Sequence, residues 1–158
     1  IARGVAAAQA DWLLILHADT QLSDDWTDSA AQHIFRHAED AGWFRLRFLA
    51  SGLAPRLVER GANLRARFLG LPYGDQGLLI SRRTLDQAGD IPALPLMEDV
   101  ALARRLKGRL RPLGAEARTS ADRYMETGWA RRVLSNLTTL ALYFMGVAPG
   151  KLARRYDK

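Results

Sequence analysis

Three short stretches hold residue types that can do chemistry. Asp19 follows the apolar run Asp11-Trp12-Leu13-Leu14-Ile15-Leu16-His17 almost directly. A carboxylate in that place suits either a ligand contact or a cap for the turn after it. Glu98 and Asp99 stand side by side behind a loop with two prolines, at the start of a helical pattern. Two acids there are favourable through the helix dipole alone. The functional reading is a general base that takes the proton of an attacking hydroxyl, one acid facing the reaction and the other orienting neighbours. In Tyr73-Gly74-Asp75-Gln76-Gly77, two glycines bracket an Asp-Gln pair. Glycine lets a backbone come close to a ligand and equally suits a tight turn. The turn alone would not call for Gln76.

The elements that must position these residues follow from periodicity. Residues 2–10 are alanine-rich and helical by propensity. The run 11–17 is continuous and apolar, as expected of a strand buried on both faces of a parallel sheet. Ser23 is placed to cap a helix opening at Asp24-Asp25, with Trp26, Ala30, Ile34 and Phe35 on its buried side. In 43–49, Phe44, Leu46 and Phe48 alternate with Trp43, Arg45 and Arg47, which predicts a strand with one solvated or ligand-facing side. Residues 53–68 have helical spacing, and glycines and a proline end them at 70–74. A short strand at 77–80, a helix at 81–88 closed by Gly89, and a helix from Glu98 with Val100, Leu102, Ala103 and Leu106 inside come next. Short strands are expected at 110–113 and 115–119, then helix. This order, with carboxylates where strands end, is an α/β layer fold, in which ligands bind at the carboxyl ends of strands.

The chain has 158 residues, 48% hydrophobic and 25% charged, with no cysteine. That bounds it to a single soluble globular domain and excludes a disordered chain or fibre. Disulfide scaffolds and thiolate zinc sites are excluded, and the scattered His17, His33 and His37 do not replace them. The lack of cysteine fits a reducing cytosol. Lys and Arg number 23 against 17 Asp and Glu, a formal charge of +6. The arginines cluster at helical spacing, so they are first solvated helix faces. Binding of nucleotide phosphates, an anionic membrane or nucleic acid are the functional alternatives. The start at Ile1-Ala2-Arg3-Gly4, without an initiator Met or a signal-peptide pattern, reads as the interior of a longer protein.

Leu14-Ile15-Leu16-His17-Ala18-Asp19-Thr20, then Tyr73-Gly74-Asp75-Gln76-Gly77 before Ile80-Ser81-Arg82-Arg83, then Pro95-Leu96-Met97-Glu98-Asp99-Val100 with Arg104-Arg105-Leu106, together resemble a family-2 glycosyltransferase of the GT-A fold. The nearest likeness is the bacterial branch described as radical-SAM/selenodomain-associated transferases, and it runs from Ile1 to about residue 156. The resemblance implies a mixed sheet flanked by helices, lacking its first βα units. It implies a catalytic part at 1–128 and a helical extension at 129–158, packed or interfacial. Asp19 matches the last acid of the family's Asp-x-Asp motif, which holds Mg2+ or Mn2+ against a nucleotide-sugar diphosphate. Asp99 matches the base of an inverting single displacement, supported by Glu98. Gly74, Asp75 and Gln76 match a donor- and acceptor-lining segment.

Departures from the family pattern are equally specific. His17 replaces the first acid of Asp-x-Asp, as a metal ligand or as a hydrogen-bonded structural histidine. Ser120-Ala121-Asp122-Arg123-Tyr124 stands where a Gln-x-x-Arg-Trp motif is usual. Arg123 and Tyr124 are candidates for its role, and Arg131 and Arg132 for contacts with the diphosphate. The family's opening strand, its Pro-x-x-Asn-Glu turn and the next strand, which hold the nucleobase, have no counterpart, so weak nucleotide binding is expected of this chain alone. Segment 133–147 is shorter than the ~20 residues of a membrane span and reads as a buried or interfacial amphipathic helix. With Arg131-Arg132 before it and Lys151, Arg154 and Arg155 after it, it suits peripheral contact with the inner membrane face. Lipid-linked acceptors, common in the family, fit that placement. The expectation is therefore a cytoplasmic bacterial glycosyltransferase with a nucleotide-sugar donor, a divalent metal and no nucleic-acid partner. The alternative from another class is a non-catalytic basic module for anionic lipid or nucleic acid, although no ribonucleoprotein or helix-turn-helix pattern is present. A nucleotidyltransferase is a third reading.

Overall fold

Apolar periodicity becomes layers in a computed structural model that describes residues 1–156. Helix α1 (Ala2–Ala7) leads into strand β1 (Trp12–Ile15), a short strand β2 (Thr20–Leu22) and helix α2 (Trp26–Arg36). Strand β3 (Ala41–Phe48), helix α3 (Leu53–Leu69), one 3-10 turn (Gly74–Gln76) and strand β4 (Leu78–Ser81) follow. Helices α4 (Arg82–Gln87) and α5 (Glu98–Arg105), strand β5 (Leu110–Thr119), and helices α6 (Asp122–Thr127), α7 (Trp129–Phe144) and α8 (Pro149–Tyr156) complete the chain. The result is a mixed α/β fold around one five-stranded sheet, in the order β1-β4-β3-β5-β2.

Only β3 and β5 pair in parallel; β1 with β4, β4 with β3, and β2 with β5 are antiparallel. This corrects the expectation of a parallel-sheet strand for the first apolar run. β1 is an edge strand held by β4 alone, and only Leu13 of it is fully buried. Because β1 and β3 both run against β4, and β5 runs with β3, the carboxyl ends of β1, β3 and β5 share one edge of the sheet.

Several other expectations need correction. Residues 110–119 form one strand; its pairing with β3 shifts register between Trp43 and Arg45, where the sequence suggested a gap. Trp43 is only 2% exposed, because the first half of this central strand is covered on both faces. Alternation with water begins only at Arg45. Phe35 is 88% exposed; His33 takes the inward place on α2 and bonds through Nε2 to the Asp40 carbonyl at 3.1 Å. Ser23 does not cap α2. Its buried hydroxyl binds the Asp25 carboxylate and accepts the Glu116 N–H, tying β2 to β5.

Other local signals act as read. Ser81 caps α4 by accepting the Thr84 N–H at 3.1 Å, and Gly70 closes α3 in the left-handed region at φ 63°. Val100, Leu102, Ala103 and Leu106 are all buried. A buried carboxylate absent from the sequence expectations secures α3 to β3: Glu59, 3% exposed, accepts the Phe48 N–H at 2.9 Å and pairs with Arg47 and Arg56. The segment from Trp129 onward packs on the rest through Trp129 against Phe48, and through Leu140 and Tyr143 against Leu71, Met97 and Val100. Among the described residues, no helix is long and apolar enough to cross a membrane.

Candidate active site

Three connections meet at the shared strand edge. The first leaves β1 and carries His17 and Asp19, both exposed. Asp19 is held by its backbone, whose carbonyl accepts the Ser120 N–H at 3.3 Å. The Thr20 hydroxyl sits 3.4 Å from Asp19 Oδ1 and 3.0 Å from Thr119 Oγ1. The carboxylate is thus fixed at the base and open at the tip.

The second connection is the turn before β4, which the sheet and α3 position jointly. Gln76 is fully buried beneath it. Its Nε2 donates to the Phe44 carbonyl and to Asn63 Oδ1, and its Oε1 accepts from the Tyr73 N–H and Arg65 Nη2. Asn63 in turn clasps both backbone groups of Leu46. Each polar atom of Gln76 is therefore used inside the protein, and the residue acts as the turn's framework. Arg65 donates to the Leu71 carbonyl and lies with its guanidinium carbon 3.4 Å from the centre of the Tyr73 ring. Gly74 lies directly against the exposed His17 ring, since a Cβ there would meet Nε2 of His17 in its present position. The two motifs, far apart in sequence, are in contact.

The third connection starts α5. Met97 is a buried non-glycine residue at φ 66°, a left-handed conformation that L side chains rarely adopt. This kink turns Glu98 and Asp99 into the first turn of α5. Asp99 Oδ2 accepts the Gly74 N–H at 2.8 Å and Oδ1 accepts the Val100 N–H at 2.7 Å. Each oxygen keeps a lone pair for another partner.

These pieces line a cleft of about 330 Å3 with His17, Asp19, Asp75, Glu98 and Asp99, and the same cleft is lined by Asp122, Arg123, Tyr124, Arg132 and Asn136. Tyr124 is fixed by stacking on Trp129, with ring centres 4.8 Å apart, and its hydroxyl receives Asn136 Nδ2 at 3.2 Å. Arg131, the neighbour of Arg132, is exposed and is not among the lining residues. Asp122, Asn136 and Met97 were not foreseen. Asp122 had a readable signal, the Ser120 hydroxyl that accepts its N–H at 3.0 Å as a turn cap would. Asn136 and Met97 look ordinary in sequence and gain their places only through the packing of α7 and the kink before α5.

Asp75 is the unusual group. Its Oδ1 is sealed from water and lacks a hydrogen-bond partner. Burial, reinforced by the nearby carboxylates of Asp99 and Asp19, pushes its carboxyl up from the ordinary 3.8 to about 6, while Arg65 and His17 pull the other way. Native proteins rarely leave such an atom unsatisfied, which singles Asp75 out among the carboxylates of the cleft. As a donor set for a divalent cation the cleft offers hard oxygens. However, no three His, Cys, Asp or Glu side chains among the described residues converge into a ready-made cage. Comparison with known proteins adds nothing to this geometry, since no family profile, no curated protein and no solved structure matches the chain.

Proposed function

We propose that this chain is the catalytic part of a GT-A-type glycosyltransferase that moves a sugar from a nucleotide-sugar donor to an acceptor hydroxyl with inversion. The observation that carries the reading is the meeting of Asp19, Asp75 and Asp99, from three separate connections, in one cleft at the carboxyl ends of β1, β3 and β5 that Arg123 and Arg132 also line. Beyond burial, the carboxylates of Asp99 and Asp19 both act to raise the carboxyl of Asp75, a repulsion that a bound cation would relieve. They suit a site that receives a cation, a diphosphate and an acidic hydrogen.

In this reading Asp99 is the base. Two backbone N–H bonds hold its carboxylate still, and it takes the proton from the acceptor O–H. The acceptor oxygen then forms a bond to the anomeric carbon as the bond from that carbon to the diphosphate oxygen breaks. Both electrons of that bond leave with the nucleoside diphosphate. Arg123 and Arg132, which line the same cleft, would meet the charge that develops on it, while Tyr124, stacked on Trp129, shapes the cleft wall. A divalent metal held by Asp19, with His17 beside it, would neutralise the diphosphate. Glu98, adjacent to the base and half-buried in the same cleft, shapes its surroundings.

The test is release of nucleoside diphosphate from a panel of nucleotide sugars with Mn2+ or Mg2+, by the protein as its gene encodes it. Metal-dependent release is expected, and substitution of Asp99 by Asn should abolish transfer while sparing donor binding. Salt-sensitive retention on DNA or anionic vesicles with no metal-dependent turnover would instead favour a non-catalytic basic module.

A further inference from the structure

A charge cluster lies on the sheet apart from the cleft. Across the parallel pair of β3 and β5, Arg45 is in register with Glu116 and Arg47 with Arg118. Side chains in register share a face, and their contacts agree. Glu116 Oε1 lies 3.5 Å from Arg45 Nη2 and 3.7 Å from Arg47 Nε, and its Oε2 lies 3.5 Å from Arg118 Nε. Arg47 also reaches Glu59 at 3.0 Å, and Arg56 shares that carboxylate at 2.9 Å. None of these six side chains lines the cleft of the candidate active site.

Charge and grip both distinguish this cluster. Four guanidiniums share two carboxylates, which leaves two positive charges unmatched. Arg47 and Arg118, opposite each other, repel, and the β2 residue in register with Arg118 is the uncharged Gln21. The grip on the two carboxylates differs. Glu59 is held at 2.9–3.0 Å, close to the length of a charge-assisted hydrogen bond. All three contacts of Glu116 are 3.5–3.7 Å long, because one carboxylate cannot close on three forks at once. Arg45 and Arg118 each place one N–H on it, out of five donors per guanidinium. The side chains of Arg45, Arg47 and Arg118 are 58%, 44% and 45% exposed, against 21% for Glu116. The loosely held forks are therefore open to water on the side away from the carboxylate.

We propose that Arg45, Arg47 and Arg118 form a second anion site, which binds the phosphate group of a small soluble molecule. A phosphate monoester carries a charge of about −1.5 to −2 at neutral pH, which matches the cluster's excess. Its several oxygens can engage more than one guanidinium fork, the geometry in which arginine recognises phosphate. The three forks converge on one point, and so they fit one compact anion. A membrane or a nucleic acid strand presents phosphates over a wider surface. Arg47 and Arg118 directly precede Phe48 and Thr119, which line the cleft, so the two sites share strand ends. The binding does not depend on the transferase reading.

The experiment is an NMR titration of the full chain with methyl phosphate at neutral pH, with ionic strength held constant by chloride, following backbone amide and arginine Nε–H signals. The signals of Arg45, Arg47 and Arg118 should shift together and saturate along one isotherm. Arg45→Gln and Arg118→Gln, both at exposed side chains, should each weaken binding about fivefold, the upper end for an exposed charge pair. Arg118→Lys keeps the charge but loses the fork and should also weaken it. Glu116→Gln removes the competing anion and should tighten binding by up to about fivefold. Arg132→Gln, which alters the cleft instead, should leave these isotherms unchanged. Shifts that grow without saturating overturn the proposal, as does equal affinity in wild type and both glutamine variants. Weaker binding in Glu116→Gln overturns it as well. So does binding of phosphatidic acid vesicles or single-stranded DNA through these arginines without saturable binding of methyl phosphate, which would make a membrane or a nucleic acid the partner.

Discussion

Replacing Asp75 by Asn should make the protein more stable at neutral pH. Asn keeps the shape of the side chain but does not ionise, and Asp75 sits with one oxygen sealed and unpartnered among other carboxylates. A carboxyl raised from 3.8 to about 6 in the folded state binds its proton more tightly there than in the unfolded chain. Stability from this group is therefore present below about pH 4 and declines as pH rises from there through about 6. At about 1.4 kcal/mol per tenfold change in proton affinity, the full loss is bounded at about 3 kcal/mol. Urea denaturation of wild type and Asp75→Asn between pH 4 and pH 8 measures it. The variant should gain up to about 3 kcal/mol at pH 8, and the gain should fade toward pH 4, with unchanged m values. A difference that is flat across this range would refute the reasoning, because strain or packing would then be responsible and not the charge.

Other substitutions test the framework around the site. Gly74→Ala forces a Cβ against His17; since that ring is exposed it should swing aside, changing its NMR signals while global stability falls by less than the about 1–3 kcal/mol typical of core overpacking. Glu59→Leu orphans the Phe48 N–H and should cost about 1–3 kcal/mol by denaturant titration, whereas Glu59→Gln keeps an acceptor and should cost less. Although burial by itself raises the Glu59 carboxyl, the Phe48 N–H and the guanidinium groups of Arg56 and Arg47 outweigh it and leave it below the ordinary 4.5. Its contribution is thus present above pH 4.5 and lost as pH falls through the lowered value, and the pH dependence of the Glu59→Gln difference should show this. Gly61→Ala should add about 0.5–1 kcal/mol to stability.

The sequence reading succeeded where a residue's chemistry and its local period agree. The α5 face, the Ser81 cap and the Gly70 stop are of that kind, since each depends on neighbours within one or two turns. Strand direction was not legible for β1, because a short apolar run looks alike at a parallel centre and at an antiparallel edge; pairing with β4, some 65 residues on, decides it. β2 is three residues whose hydrogen bonds come from β5, and nothing in Thr20-Gln21-Leu22 announces a distant partner. Within the cleft, Asp19, Asp75 and Asp99 drew notice as acids beside glycine or at element ends. That Gln76 lies below the turn and Arg131 outside the cleft depends on how α3 and α7 pack. The orphaned oxygen of Asp75 likewise becomes visible only once the surrounding carboxylates have coordinates.

Turnover of a nucleotide sugar tests the central claim most directly. With Mn2+ present, the protein as its gene encodes it should release nucleoside diphosphate from at least one donor of a broad panel. Asp99→Asn should lower that rate about 10^2–10^4-fold, the worth of a positioned general base, with donor affinity retained. No turnover of any donor with any acceptor offered, or an Asp99→Asn variant as fast as wild type, would contradict the account.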